Sequence, residues 1–212
     1  VLYVANYDRN KIVKVTRSVI DGATVDGVVE DFVDVPSGPT QLAVYAPKSN
    51  PSVKLLFVAG RNAGKISKID LTNPTPVVSD FVNVANPTAM AFQGSVLYVA
   101  SASGTVSRFN LDGSSAGSSI AGLTDVTAIA FDYAGNLYAA LDGNEDRVKR
   151  LELNPDGSVK TTQDWAYLTD PRGLSIDSAG AVYVASYKDD LVYRILPTLD
   201  MTVFARVTKP AG

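Results

Sequence analysis

A chain of 212 residues with 46% hydrophobic and 19% charged positions can fill one core or a repeat array of similar size. Its net charge of −3 supplies no basic stripe for nucleic acid, and no apolar run approaches the ~20 residues of a membrane span. With no Cys and no His, it has no disulfides, no thiolate nucleophile, none of the usual zinc sites and no histidine general base.

In chain order, one phrase recurs five times: Val1-Leu-Tyr-Val-Ala-Asn6, Leu55-Leu-Phe-Val-Ala-Gly60, Val96-Leu-Tyr-Val-Ala-Ser101, Asn136-Leu-Tyr-Ala-Ala-Leu141 and Ala181-Val-Tyr-Val-Ala-Ser186. Its aromatic members, Tyr3, Phe57, Tyr98, Tyr138 and Tyr183, are 54, 41, 40 and 45 residues apart. A period in the low forties built of strand-like pieces predicts β-propeller blades. Each repeat divides into four strands, a to d, with the phrase as strand b. Strand a reads Pro39-Thr-Gln-Leu-Ala-Val44, Pro87-Thr-Ala-Met-Ala-Phe92, Val126-Thr-Ala-Ile-Ala-Phe131 and Pro171-Arg-Gly-Leu-Ser-Ile176, with large residues alternating against small ones. Strand c begins at Lys11, Lys65, Thr105, Arg147 and Leu191. It carries a repeated cation, Lys14, Lys68, Arg108, Arg150 or Arg194, expected on an exposed or inter-blade side. Strand d reads Val29-Glu-Asp-Phe-Val33, Val78-Ser-Asp-Phe-Val82, Gln163-Asp-Trp-Ala-Tyr167 and Met201-Thr-Val-Phe-Ala205; the copy expected within 115–123 has almost no pattern. Turns follow at Asp112-Gly113, Asp132 to Gly135, Pro155-Asp156-Gly157 and Asp177 to Gly180, where Gly accepts positive φ.

The expected fold is therefore all-β: a propeller of four-stranded antiparallel blades at about 1–35 (incomplete), 39–84, 87–123, 126–168 and 171–207, in a single domain. The chain opens inside a b strand, and Lys209-Pro-Ala-Gly212 matches the start of an a strand. The expectation is part of a longer chain, in a five- or six-bladed ring, with an open blade edge capable of self-assembly.

The blades resemble the NHL repeat and its six-bladed relatives, which include gluconolactonase-like proteins. The match is carried by Pro171-Arg-Gly-Leu-Ser-Ile-Asp-Ser-Ala-Gly-Ala-Val-Tyr-Val-Ala-Ser186 and by Val126-Thr-Ala-Ile-Ala-Phe-Asp-Tyr-Ala-Gly-Asn-Leu-Tyr-Ala-Ala140 with Arg147-Val-Lys-Arg-Leu151. The resemblance implies recognition of a protein, RNA or small ligand on one face, and in some relatives metal-dependent lactone or ester hydrolysis. Those enzymes hold a divalent ion with Glu, Asn and Asp on inner strands. Here the a strands start with Thr40, Thr88, Thr127 and Arg172, and only Asp125 and Asp170 precede them. The lack of His also departs from the lyase and paraoxonase-like relatives.

The b–c loops supply the candidate ligand-binding residues Tyr7, Asp8, Arg61, Asn62, Asp142, Asp146, Tyr187, Lys188 and Asp189. Tyr7 and Tyr187 stand apart from the repeated tyrosines and would be neighbours in a closed five-bladed ring. Asp142, Asn144 and Asp146 place oxygens at positions 1, 3 and 5 of a calcium-type loop, although Arg147 stands where that loop has Gly and Leu153 where it has Glu. The reading is a non-catalytic binding or assembly module, extracellular or periplasmic, for a protein or small polar ligand. No cofactor is expected, with Ca2+ as the one candidate. The alternatives are a metal-dependent lactonase or esterase and a segment of a surface adhesin or filament.

Overall fold

A computed structural model describes residues 1–20 and 23–208, with side chains left out of account at 17–26. The segment Lys209-Pro-Ala-Gly212, expected to begin a further a strand, lies outside the described residues. Nineteen strands and no helix make up the described chain. The first sheet contains β1 (Leu2–Asn6), β2 (Lys11–Ile20) and β3 (Ala23–Asp34). The second contains β4 (Pro39–Tyr45), β5 (Leu55–Gly60), β6 (Lys65–Asp70) and β7 (Val78–Asn83). The third runs through β8 (Pro87–Gln93), β9 (Val96–Ser101), β10 (Thr105–Phe109) and β11 (Ile120–Ala121). β12 (Val126–Phe131), β13 (Leu137–Leu141), β14 (Arg147–Leu153) and β15 (Val159–Tyr167) form the fourth. β16 (Pro171–Ile176), β17 (Val182–Ser186), β18 (Leu191–Ile195) and β19 (Met201–Arg206) form the fifth. Each sheet is an antiparallel meander of propeller-blade type. The chain divides into two compact units, residues up to 87 and from 88 onward, described separately below.

The repeated phrase forms β1, β5, β9, β13 and β17, and its alternation serves two packing layers. In the first unit, Tyr3 and Ala5 lean toward Leu56, Val58 and Ile69 of the next blade. In the second unit, Tyr98 and Ala100 meet Leu137, Ala139 and Leu151. Tyr138 and Ala140 likewise meet Val182, Val184 and Ile195. An aromatic and a small residue on one face thus fill against two aliphatics on the next, as close packing requires.

The aromatic of strand d meets the aromatic of strand b through a bulge. In β3, β7, β15 and β19 the ladder slips by one residue at Phe32, Phe81, Trp165 and Phe204. The extra residue of a bulge is turned out of the regular alternation. Here it lays its ring against Tyr3, Phe57, Tyr138 or Tyr183, at 5.1, 4.9, 5.3 and 5.0 Å between centroids, mostly edge to face. The repeated cation of strand c lies directly across from the same b aromatic. Lys68 sits over Phe81 and Arg150 over Trp165.

The third blade departs from this rule. Its outer strand shrinks to Ile120–Ala121 and brings no aromatic, as the featureless sequence there foretold. Tyr98 instead packs edge-on against Phe131 of the following blade, at 4.8 Å. Arg108, expected on an exposed or inter-blade side, is only 4% exposed. Its Nε donates to the Ser118 carbonyl (2.9 Å) and its Nη1 to the Asp156 carbonyl in the next blade (2.6 Å). The neighbouring turn admits that guanidinium because residue 157 is Gly: a Cβ there would come within 1.7 Å of Arg108 Nη1, and φ is +77°. Strands β2 and β3 run longer than the sequence pattern suggested, forming an extended two-strand ribbon.

Two outcomes test this packing. Trp165→Ala, which empties a half-buried bulge site, should cost about 2–3 kcal/mol in urea unfolding, while Thr162→Ala on the same strand should cost under about 0.5 kcal/mol. Gly157→Ala should destabilise markedly more than Gly64→Ala. Both sites have positive φ, but at Gly64 an added Cβ meets nothing within 4 Å. The Gly64 variant therefore reports the ~1–2 kcal/mol backbone strain alone.

Candidate functional site in the blade loops

Two backbone positions in each blade set the loop geometry. The residue before strand c is left-handed at Asn10, Gly64, Gly104, Asp146 and Asp190. The residue before strand a is left-handed at Gly38, Asn86, Asp125 and Asp170. Only Gly, Asn and Asp enter this region readily, which accounts for the residue types found. At the first position the carbonyl accepts the N–H of Val35, Val84, Leu123, Leu168 or Val207, tying the b–c loop to the end of strand d. At the second, the carbonyls of Gly38, Asp125 and Asp170 accept the N–H of Arg61, Asp142 and Tyr187. The b–c and d–a loops of a blade are thus held side by side.

The same framework engages several predicted site residues. Asp146 Oδ1 accepts the Asp170 N–H (3.1 Å), as Asn10 Oδ1 accepts the Gly38 N–H (2.9 Å) in the first blade. Asp146 therefore serves as a loop clamp. Asp142 ion-pairs with Arg172 (Oδ2 to Nη2, 3.2 Å), and Glu145 ion-pairs with Arg147 (3.2 Å) and Lys149 (2.8 Å). Asn144 is exposed on the turn between them. Asp142 and Asp146 are thus drawn to different partners, and among the described residues no group of three or more acidic side chains is gathered as a metal cage.

In the second unit the loops converge on Arg172. This residue is the extra one in the β16 bulge, the position held by Thr40 in β4 and Thr127 in β12. Thr127 turns its hydroxyl onto the Pro171 carbonyl. Arg172, being longer, reaches outward, with Nε 2.5 Å from Asp170 Oδ1 and its guanidinium 5.5 Å from the Tyr187 ring centre. The hydrogen bond with buried Asp170 raises the Arg172 pKa above its ordinary value. Its side chain stays 42% accessible, whereas that of Asp170 is 6% accessible. Beside it, Ser186 Oγ lies 2.6 Å from Asp189 Oδ2 and donates to one of two acceptors there, that carboxylate or the Thr169 carbonyl. The Tyr193 hydroxyl approaches the same carboxylate at 3.4 Å. Burial first, then Asp189, pushes the Tyr193 phenol up. Lys188 is exposed at the tip of this loop.

In the first unit, Tyr7 and Asn62 meet: the Asn62 amide donates to the Tyr7 hydroxyl at 3.0 Å. Asp8 and Arg61 are exposed on the flanking turns. The predicted residues thus fall into two groups, Tyr7 with Asn62, and Asp142 with Tyr187, Lys188 and Asp189. Arg172 and Asp170, which organise the second group, lie outside the b–c loops. Their signal was the break from Thr to Arg at the start of strand a. A separate groove of about 460 Å3, lined by Gln93, Tyr98, Arg108, Asp156 and Gly157, opens among the a–b and c–d turns.

Virginiamycin B lyase from Staphylococcus aureus superposes with a TM-score of 0.66 at 11% identity, over 99% of this chain and 68% of that one. A candidate 6-phosphogluconolactonase from Bacteroides fragilis gives 0.66 at 18% identity, over 98% and 68%. The fold is that of a β-propeller. A catalytically inactive histidine-to-alanine variant of the Staphylococcus lyase with quinupristin gives 0.68 at 11% identity, over 99% and 69%. No family model and no curated protein sequence matches the chain significantly. Among the described residues no helix is long and apolar enough to cross a membrane.

Stability should be flat between pH 5 and 8, since no His or Cys titrates there. Asp70 is held low by hydrogen bonds from Thr72, Asp156 by those from Ser158, and Asp177 by those from Ala181 and Ala179. A lowered folded pKa contributes stability above the unfolded value of about 3.9 and loses it as pH falls through the folded value. Thermal melts should therefore decline only below about pH 4. Arg172→Ala, which strips buried Asp170 of its cation, should cost about 1–3 kcal/mol. The double variant Arg172→Ala with Asp170→Asn should recover part of that loss in the same urea titration.

Proposed function

We propose that this propeller is a non-catalytic binding module that recognises a polar ligand or protein segment through its b–c and d–a loops, centred on Arg172. The observation that carries this reading is an accessible guanidinium preset by Asp142, Asp170 and the Tyr187 ring. A side chain ordered before binding gives up little rotamer freedom when a ligand arrives. Exposed Lys188 and Asp189 alongside offer both signs of charge at close range. Binding at such loops, on a rigid sheet scaffold, is a common division of labour.

Support for a non-catalytic role comes from the residue set. The Staphylococcus lyase is inactive when one histidine becomes alanine, and this chain contains no histidine. Cysteine is also absent, and three of the loop carboxylates are already engaged, Asp142 and Asp170 by Arg172 and Asp146 by the Asp170 N–H. The blade type is read as NHL-like on the motifs quoted above, and the placement outside the cell as following from the cysteine-free composition. The second reading is a lactonase-type hydrolase, favoured by the likeness to the Bacteroides protein. It would need Asp142 or Asp170 to leave Arg172 for a divalent ion.

The test is a heteronuclear NMR titration of labelled protein with a neutral oligosaccharide, gluconate, an arginine-rich peptide, a glutamate-rich peptide and CaCl2. At least one organic probe should shift resonances at 142–146, 169–172 and 186–190, and Arg172→Ala should abolish those shifts. Shifts confined to 132–135 and 154–157 would move the site to the opposite turns. Calcium-dependent shifts at Asp142 and Asp170, with hydrolysis of 6-phosphogluconolactone above the buffer rate, would establish the hydrolase instead.

A further inference from the structure

In the fourth and fifth blades the tyrosine of strand b belongs to a trio. Its other members are the cation of strand c and an aspartate six residues after the first of strand a. In the fifth blade Arg194 Nε donates to the Tyr183 hydroxyl (3.1 Å), which donates to Asp177 Oδ2 (3.2 Å). In the fourth, Tyr138 lies between Asp132 and Arg150: burial first, then the Asp132 charge, raises its phenol, and Arg150 opposes both. The third blade keeps the tyrosine and the cation, Tyr98 and Arg108, opposite each other on the ladder. At the aspartate position it has Gln93. One negative charge is therefore missing from this trio.

The loss falls on a buried cation. Backbone carbonyls take the Nε and Nη1 of Arg108, but a carbonyl carries no net charge. The Asp156 carboxyl is held low by its hydrogen bonds from Ser158, with Arg108 contributing at longer range. Among the described residues no carboxylate forms an ion pair with Arg108. A buried charge without a partner is costly, and an anion brought beside it offsets that cost. The space for one is open: Arg108, Tyr98 and Gln93 all line the groove of about 460 Å3, a volume suited to a small ligand. Glycines seat the two planar groups there. A Cβ at Gly117 would overlap Arg108 Nη2, and one at Gly135 would come within 2.7 Å of Gln93 Nε2. Tyr133, fully exposed on the turn whose Ala134 and Gly135 line the groove, supplies a ring at the rim.

We propose that this groove binds a sugar acid, whose carboxylate supplies to Arg108 the negative charge that Asp132 and Asp177 supply in the next two blades. Because Nε and Nη1 are engaged, Nη2 is the donor left for an incoming oxygen, in a charge-assisted hydrogen bond. The choice of a carboxylate follows from the fold itself, which places one at this position in both following blades. The ring of Tyr133 suits a ligand with a cyclic C–H face beside its polar groups. The site shares no residue with the Arg172 loops and goes beyond the binding role proposed for them.

Calorimetric titration of the whole chain with galacturonate, glucuronate, galactose and inorganic phosphate tests this. At least one uronate should bind about ten-fold or more tightly than galactose, which lacks the carboxylate, and than phosphate, which lacks the ring. In labelled protein that uronate should shift resonances at 93, 108, 133–135 and 154–157, and equally so with Arg172→Ala in place. Gln93 is exposed, so Gln93→Asp can return the missing charge without disturbing the core. It should weaken the uronate about ten-fold or more and leave the melting temperature no lower. Arg108→Gln should abolish binding; where that variant melts early, Gln93→Asp decides. The proposal is overturned by uronates that do not bind, by galactose or phosphate binding as tightly, by undiminished binding to Gln93→Asp, or by shifts that Arg172→Ala removes. The last result would place the uronate in the Arg172 loops, and shifts that survive Arg172→Ala would support this groove whatever becomes of that loop site.

Discussion

The fold rests on one repeated contact, a ring from the outermost strand laid edge-on against the ring of strand b. It spans a blade from its second strand to its fourth, and it exists because the outer ladder slips by one residue. Without the slip, the outer aromatic would follow strict alternation and miss its partner by one side of the sheet. The basic residue of strand c completes the arrangement, lying opposite the b ring with its stem on apolar surface. Burial of the ring pair and the cation above it joins three strands whose hydrogen bonds alone would leave them as a thin ribbon.

The third blade shows how the fold responds when that contact is missing. With only Ile120 and Ala121 on its outer strand, it offers Tyr98 no ring of its own. Phe131 from the neighbouring blade supplies the ring, and Arg108 is drawn inward to grip the Asp156 turn. A cation that could have remained at the rim becomes a clasp between blades. Its guanidinium is satisfied by backbone carbonyls, as a buried donor must be.

Much of this was legible in the sequence. The five b phrases, the a strands and the Asp-Gly turns are dictated by local alternation and by the need for positive φ, both visible in a single chain. The weakness of the outer strand at 115–123 was visible as well. The bulges were not, because a register slip is decided between strands and leaves only a faint trace in any one of them. For the same reason Trp165 gave no sign of being the extra residue facing Tyr138. In the loops, Tyr7 and Tyr187 stood outside the repeated tyrosines, while Asp189 was one of many polar residues there. The hub at Arg172 was harder to see, because its meaning depends on a fold-induced meeting with Asp142 from another blade.

The left-handed residues before strands a and c have a further consequence. Backbone geometry restricts those places to a short alphabet in which glycine, asparagine and aspartate are nearly interchangeable sterically but differ by a full charge. All of them lie on the loop side of the blades, beside Arg172 in the second unit. The charge of that surface can therefore change by single substitutions where the side chain is free of the framework, whereas Asn10, Asp146 and Asp170 are tied into it and Gly38 leaves no room for a Cβ beside Asn62.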